Sequence, residues 1–424
     1  MKTTKSFEVT IVGGGMITEL QIMPSVYYLQ RQGIINEINV CALNAAPLKV
    51  IAESERLLEA FPGQSFNSYP DYKTEDLNAM FPNMYKEVID KMEERNIVFI
   101  ALPDQLHFAA IIYALEHNQH VVTVKPLTLS YKEALEIEKL AFSKGLFVGT
   151  EYHKRFDDRV GMARLSYRNG DFGEFRVGYA TLVEPWYYRD SNFQNWCTTE
   201  NSDMFTYVGC HYVDQVNMIT GLLPTEVSVY GVKDEYPNGK EGFLWTSANV
   251  IWENGASLAL INGMGYPNAG AGGNSQGLWL FTQGEDEGGL IFHDDQYRGV
   301  KHSYVKKGDF VGDSYHNEPS PDYLKLLERG GEGLTPVGYG FRSIEGLITS
   351  IERIESYALS NGDTIEKRQE MIKKIDDEGI IATPANSSFN ELVIEAGRMS
   401  ILNDGRAVVI EYGDNPTVKF KEYK

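Results

Sequence analysis

Ile97–Pro126, IVFIALPDQLHFAAIIYALEHNQHVVTVKP, decides the fold. Ile97–Ala101 is a short, wholly apolar run, the pattern of a strand buried on both faces of a parallel sheet. Pro103 ends it, and Leu106–Asn118 then carries Phe108, Ala109, Ile112 and Leu115 at helical spacing. His120–Val124 is a second β-branched run, so the unit reads strand, helix, parallel strand. Lys125-Pro126 falls at the carboxyl end of that second strand, where open parallel sheets bind their ligands. Lys125 is either placed for chemistry or is a solvated strand-end lysine; the stretch alone leaves both open.

Outward from this stretch, 424 residues suggest two domains, and 42% hydrophobic with 23% charged residues fits an ordinary globular chain. A formal charge of −20 makes nucleic acid and anionic membranes unfavourable partners, since both would be repelled. The three cysteines, Cys41, Cys197 and Cys210, form no CxxC and no disulfide framework, which fits a reducing compartment. No apolar run approaches the roughly 18 to 20 residues of a membrane span. The N-terminus passes directly into strand-like residues without a signal-peptide core, so the expected location is cytoplasmic.

Before the central unit, the strand-like run Phe7–Val12 leads into Gly13-Gly14-Gly15-Met16-Ile17-Thr18. This is G-x-G-x-x-T, the first two glycines of a dinucleotide-binding turn with threonine at the third position. Glycine lets such a turn tighten and lets backbone N–H groups of Gly15, Met16 and Ile17 approach a pyrophosphate. The next strand, Ile38–Leu43, ends at Asn44, which can bond a ribose hydroxyl without repelling a 2′-phosphate. No arginine follows to attract that phosphate, so NAD is favoured and NADP is the alternative. Helices are expected over Ala46–Phe61, Met84–Glu94 and Tyr131–Lys144, with a strand at Leu146–Thr150. This alternation predicts an α/β domain with a doubly wound, Rossmann-type parallel sheet over residues 1–150.

Residues 151–424 read as an α+β domain with a large, mostly antiparallel open sheet. Its expected strands are Glu174–Leu182, Glu226–Val232, Ser247–Trp252, Ala256–Ile261, Leu278–Phe281 and Leu290–Phe292, with a hairpin turn at Glu253-Asn254-Gly255 and a last strand at Ala407–Tyr412. Its expected helices are Phe205–Thr220, Asp322–Arg329, Ile344–Leu359 and a run to Leu402 opened by a capping box at Ser388–Glu391. Gly265–Gly277 reads as a glycine-rich loop. On the helix Phe205–Thr220, Tyr207, His211 and Asp214 recur at i, i+4 and i+7 and share a face. A phenol, an imidazole and a carboxylate on one face suit proton transfer, although His211 bonded to Asp214 at the edge of a core gives the same pattern. No second His or carboxylate pair repeats the spacing, so no metal is expected. His107 either approaches a nicotinamide or begins its helix. Trp186, Tyr187, Tyr188 and Trp196 cluster before the His211 helix, as a platform for a sugar ring or as core.

Together these motifs resemble the Gfo/Idh/MocA family of oxidoreductases, named for glucose–fructose oxidoreductase, inositol dehydrogenase and rhizopine catabolism proteins. The resemblance runs over about the first 220 residues. It rests on Gly13, Gly15 and Thr18 in the nucleotide turn, and on Ala101–His107 for the A-T-P-N-x-x-H loop. It rests also on His120–Pro126 for H-V-x-x-E-K-P, with Val124 in the glutamate position, on Arg155-Phe156, and on Gly209–Asp214 for G-x-H-x-x-D. It implies a nicotinamide-linked oxidation or reduction at a secondary carbon of a sugar, cyclitol or related polyol. Lys125 would hold the reacting oxygen and His211 would remove the hydroxyl proton, the two facing each other with the nicotinamide between. Tyr207, where relatives often carry aspartate, would relay a proton or bind substrate. Leu102, Pro103 and His107 would border the cofactor, and Arg155, Trp186 and Asp214 the substrate. The resemblance also implies a homodimer or homotetramer paired through the exposed face of the second sheet. A glycoside-cleaving relative that retains its NAD and a non-catalytic sugar or NAD sensor are the other readings; Lys125 and His211 together favour an enzyme over the sensor.

Overall fold

Six parallel strands, Phe7–Val12 (β1), Ile35–Cys41 (β2), Asn67–Tyr69 (β3), Ile97–Ile100 (β4), His120–Val124 (β5) and Val148–Glu151 (β6), lie in the order β3-β2-β1-β4-β5-β6. This is the doubly wound dinucleotide-binding order. The computed structural model describes residues 6–270, 273–285, 288–294, 304–307, 314–317 and 323–422. In β4 the reason for the unbroken apolar run is visible: Ile97 and Phe99 join one buried cluster while Val98 and Ile100 join another on the opposite face. The helix His107–Glu116 covers the second face with Ala110, Ile111, Ala114 and Leu115.

The first face is covered from an unexpected part of the chain. Ile344, Leu347, Ile348, Ile351 and Ile354 of the helix Tyr339–Ser360, with Met371, Ile372 and Ile375 of the helix Ile365–Glu378, share one buried cluster with Val9, Ile11, Phe99 and Val122. The chain accordingly divides into a unit formed by the chain up to Thr128, Lys132–Phe156 and Tyr323–Ser388, and a unit formed by Leu129–Tyr131, the chain from Asp157, and Phe389 onward. The single boundary expected at residue 150 is therefore replaced by a chain that returns. Gly149 on β6 admits the returning helix, because a Cβ there would lie 2.4 Å from Leu347 Cδ2.

Other local expectations shift as well. β2 ends at Cys41 instead of Leu43. The helix expected over 46–61 is two, Ala46–Ala52 and Glu55–Ala60, interrupted at Glu53 and Ser54. In place of a helix over 322–329, Lys325–Leu327 is a strand paired with Thr335–Val337; residue 322 lies outside the described residues. The capping box sits at Thr383 and Asn386, and the Ser388 hydroxyl donates to the Pro384 carbonyl.

In the second unit the sheet order is β12-β11-β7-β10-β9-β8, continued by strands Val408–Glu411 and Thr417–Phe420. Here β7 is Glu174–Pro185, β8 Pro224–Glu235, β9 Glu241–Trp252, β10 Ser257–Tyr266, β11 Ser275–Gln283 and β12 Gly288–Asp294. The pairings are antiparallel except that of β7 with β10. The glycine-rich stretch is shorter as a loop than expected, since β10 extends to Tyr266 and β11 starts at Ser275; residues 271–272 lie outside the described residues. One sheet face is core, with Val250, Leu258, Leu260, Leu278 and Leu280 buried. The other face stays open and apolar: Val177, Tyr179, Ile261, Phe281, Leu290 and Phe292 are each 42 to 52% exposed. Among the described residues no helix is long and apolar enough to cross a membrane.

Candidate functional site

The glycine turn is built by three residues with different tasks. Gly13 has φ +122°, and a Cβ on it would lie 2.0 Å from the Ala101 carbonyl oxygen, so only glycine allows β1 and β4 to approach here. Its N–H donates to the Cys41 carbonyl (2.8 Å), and its own carbonyl accepts from the Thr18 hydroxyl (2.7 Å). Thr18, fully buried, therefore locks the turn from inside the helix that follows. A Cβ on Gly15 would meet nothing within 4 Å, which leaves the room a pyrophosphate needs beside the first amides of that helix, where Met16 and Ile17 stand. The residues present thus fit a dinucleotide. Asn44 is less free than a ribose ligand would be: its Oδ1 accepts from the Ala46 N–H (3.2 Å) and starts the next helix.

Lys125 stands half-buried at the end of β5. Behind it, His107 begins its helix, fully buried, with Nδ1 2.8 Å from the Pro126 carbonyl and Nε2 2.8 Å from the Leu102 carbonyl. Both partners only accept, so a neutral ring can donate to one of them at a time. With the proton on Nδ1, His107 ties the start of its helix to the segment that carries Lys125. Arg155 is buried, its guanidinium 5.9 Å from the Tyr152 ring centre.

Sequence reasoning missed a buried polar network at the carboxyl end of β6. One oxygen of Glu151 accepts from Gln21 Nε2 (2.9 Å) and Ser343 Oγ (2.5 Å), while the other faces His153 Nδ1 at 3.2 Å. Tyr323 donates to Gln21 Oε1 (2.6 Å), and Gln21 Nε2 also reaches the Gly340 carbonyl (3.0 Å). Gln21 lies in a π-helical segment, Thr18–Ile22, directly after the glycine turn. The network thus ties the nucleotide turn to the returning helix through partners up to 322 residues apart. No local pattern could have revealed it.

In the second unit, a π turn at Phe205–Gly209 runs into the helix Cys210–Thr220. His211 and Asp214 are both buried, and Asp214 Oδ1 accepts from Asn390 Nδ2 (3.0 Å). Tyr207 sits partly exposed with its ring against Phe193 (4.8 Å) and Trp196 (5.7 Å). Phe193 stacks on Tyr188 (5.3 Å), which meets Tyr187 edge-on (4.9 Å). The aromatic cluster therefore ends on Tyr207, except for Trp186, whose ring lies 4.0 Å from the Arg189 guanidinium and is 48% exposed. One turn beyond His211, Gln215 Nε2 contacts His293 Nδ1 (2.8 Å), and His293 Nε2 contacts Asp157 Oδ2 (3.2 Å). Burial raises the Asp157 carboxyl, but hydrogen bonds from His293 and Arg159 outweigh it and hold the group below the usual carboxylate range. His293, on an edge strand 78 residues from Gln215, carried no sequence signal.

The comparisons with known proteins agree with this layout. An uncharacterised oxidoreductase of Schizosaccharomyces pombe is 31% identical over 149 residues, covering 34% of this chain and 40% of the relative. The scyllo-inositol 2-dehydrogenase (NADP+) of Bacillus subtilis is 23% identical over 177 residues, 39% of this chain and 47% of its own. The matches thus span less than half the length of these curated relatives. Over the whole fold, scyllo-inositol dehydrogenase from Lactobacillus casei, solved with bound NAD(H) and scyllo-inositol, superposes with a TM-score of 0.59 at 16% identity, covering 96% of this chain and 99% of that one. Residues 7–152 match the family model described as "Oxidoreductase family, NAD-binding Rossmann fold". That segment holds the six-stranded sheet, the Gly13–Thr18 turn and Lys125, and over it the chain is similar to the NAD-binding Rossmann domain of the Gfo/Idh/MocA oxidoreductases.

Proposed function

We propose that the protein is a nicotinamide-dependent dehydrogenase acting on a secondary hydroxyl or carbonyl of a sugar, cyclitol or related polyol. The observation that carries this reading is the open space at Gly15, beneath a turn fixed by Gly13 and Thr18, inside the family-matched segment. Amides of Gly15, Met16 and Ile17 would hold the pyrophosphate, Asn44 the ribose side, and Leu102, Pro103 and His107 the border of the nicotinamide. When bound, the nicotinamide supplies the hydride acceptor or donor.

The chain's own residues supply the rest. In the oxidising direction Lys125 donates a hydrogen bond to the substrate oxygen and stabilises alkoxide character, while His211 takes the hydroxyl proton. Tyr207 borders the substrate or passes the proton on, and Arg155, Trp186 and Asp214 shape its surroundings. NAD is favoured over NADP because no arginine follows Asn44. The open sheet face, where Tyr179, Trp279 and Phe292 stack at 4.6 and 4.4 Å, supports self-association into a homodimer or homotetramer.

The test is a panel of sugars and cyclitols with NAD and NADP, followed at the absorbance of the reduced cofactor. On an accepted substrate, Lys125→Met and His211→Ala should each lower turnover about 100-fold or more with cofactor affinity nearly intact. Near-normal turnover in either variant removes that residue from the mechanism.

A further inference from the structure

The first unit has a second concavity, away from the glycine turn. It is about 760 Å³ in volume and lies between the end of the helix Met23–Arg31, the segment 329–338 and the start of the helix Tyr339–Ser360. Arg31 is 16 residues beyond Gly15 along one continuous helix, hence roughly 20 Å from the turn. Three arginines, Arg31, Arg329 and Arg342, are among the residues that line this concavity. The chain carries 59 acidic residues against 39 basic ones, so a convergence of arginines runs against its composition.

Backbone carbonyls hold Arg31 and contact Arg342. Arg31 donates to the carbonyls of Glu332 (2.6 Å) and Leu334 (2.5 Å) and lies 5.1 Å from the Tyr28 ring centre. Arg342 donates through Nε and Nη2 to the Phe156 carbonyl (3.1 and 2.9 Å), and its charge is felt by Glu345 one turn on. Arg329 is exposed and makes no hydrogen bond or ion pair among the described residues. The carbonyls fix the Arg31 guanidinium without cancelling its charge. The helix Tyr339–Ser360 starts at the same place, with Gly338 at its N-cap and no side chain capping it, which adds positive potential. Tyr28 and Phe341 meet edge-to-face (5.3 Å, 90°) and give the wall an apolar part. Among the residues lining the concavity Glu332, which is exposed, carries an opposing charge.

We propose that this concavity is a second ligand site that takes a small organic oxyanion, its phosphate or carboxylate groups on Arg329 and Arg31 and its body against Tyr28 and Phe341. The site does not depend on the dehydrogenase reading. The experiment is calorimetric titration of the full chain with inorganic phosphate and, separately, citrate, with ionic strength held constant by sodium chloride, in the parent and in Arg329→Gln. Arg329 touches nothing the fold requires, and a thermal melt confirms that the variant is folded. Saturable binding of at least one probe is expected, weakened about tenfold or more in Arg329→Gln, the scale of one charged hydrogen bond, and unaffected by saturating NADH. Binding of phosphate alone or citrate alone identifies the oxyanion class. Absence of saturable binding by both probes, equal binding in Arg329→Gln, or displacement by NADH overturns the proposal.

Discussion

Removing the Glu355 carboxylate should be the costliest single change in the dinucleotide-binding unit outside its apolar core. Glu355, on the helix Tyr339–Ser360, accepts from Arg368 Nε and Nη2, each at 2.8 Å, and from His120 Nε2 at 3.2 Å, with Arg95 3.6 Å away. His120 Nδ1 accepts from the Phe147 N–H (3.0 Å), so the ring proton is on Nε2 and points at the carboxylate. Glu355, Arg368 and His120 are all buried, and His120 opens the strand that ends at Lys125. Glu355→Ala leaves the Arg368 guanidinium buried without its main counter-charge, a loss of about 3–5 kcal/mol. For a unit of this size that corresponds to a fall in melting temperature of roughly 6–20 °C. Burial raises the Glu355 carboxyl, but hydrogen bonds from His120 and Arg368 outweigh it, so its folded pKa is depressed. The sign follows: the contribution is complete above the unfolded value of about 4.3 and is lost as pH falls toward the folded value. Thermal or urea unfolding of parent and variant should therefore differ by a constant amount from pH 6 to 8 and converge below about pH 4. A difference under about 1 kcal/mol at pH 7, or one that grows on acidification, would refute the reasoning.

Three further outcomes follow from the described geometry. A Cβ at Gly15 meets no atom in the free protein, so Gly15→Asp should melt like the parent yet lose NAD(H) binding, whereas Gly13→Ala should lower both stability and binding because its Cβ meets the Ala101 carbonyl; calorimetry and titration separate the two. Burial pushes the Cys41 thiol up to about 12, so alkylation by iodoacetamide at pH 8 should spare Cys41 in the native protein, as a peptide map would show. Trp279→Lys, on the open sheet face, should shift the sedimentation profile to a smaller species if that face pairs copies of the chain; an unchanged profile removes the face from assembly.

Much of the sheet framework was readable because local rules and tertiary context agree there. β1, β5 and the helix Tyr131–Lys144 fall on their expected residues, each bounded by a turn, a proline or a glycine. The Asp322–Arg329 expectation failed because leucines 324, 326 and 327 fit a short helix as well as a strand, and only pairing with Thr335–Val337 decides. The site divided in the same way. Gly13, Thr18 and Lys125 carry their meaning in adjacent residues, but Gln21, Ser343, Tyr323 and His293 acquire theirs from partners brought together by the fold. Thr18 lies between: its place in the motif was legible, its hydroxyl's hold on Gly13 was not.

The return of Tyr323–Ser388 to the first sheet also bears on synthesis. The ribosome releases all six strands of that sheet long before the isoleucines that cover one of its faces. Until residue 375 emerges, Ile11, Phe99 and Val122 lack the cover that the helices Tyr339–Ser360 and Ile365–Glu378 give, and the nascent chain exposes apolar surface while the second sheet is still being made. A fragment stopped near residue 150 would expose that surface permanently and is expected to be less soluble than the whole chain.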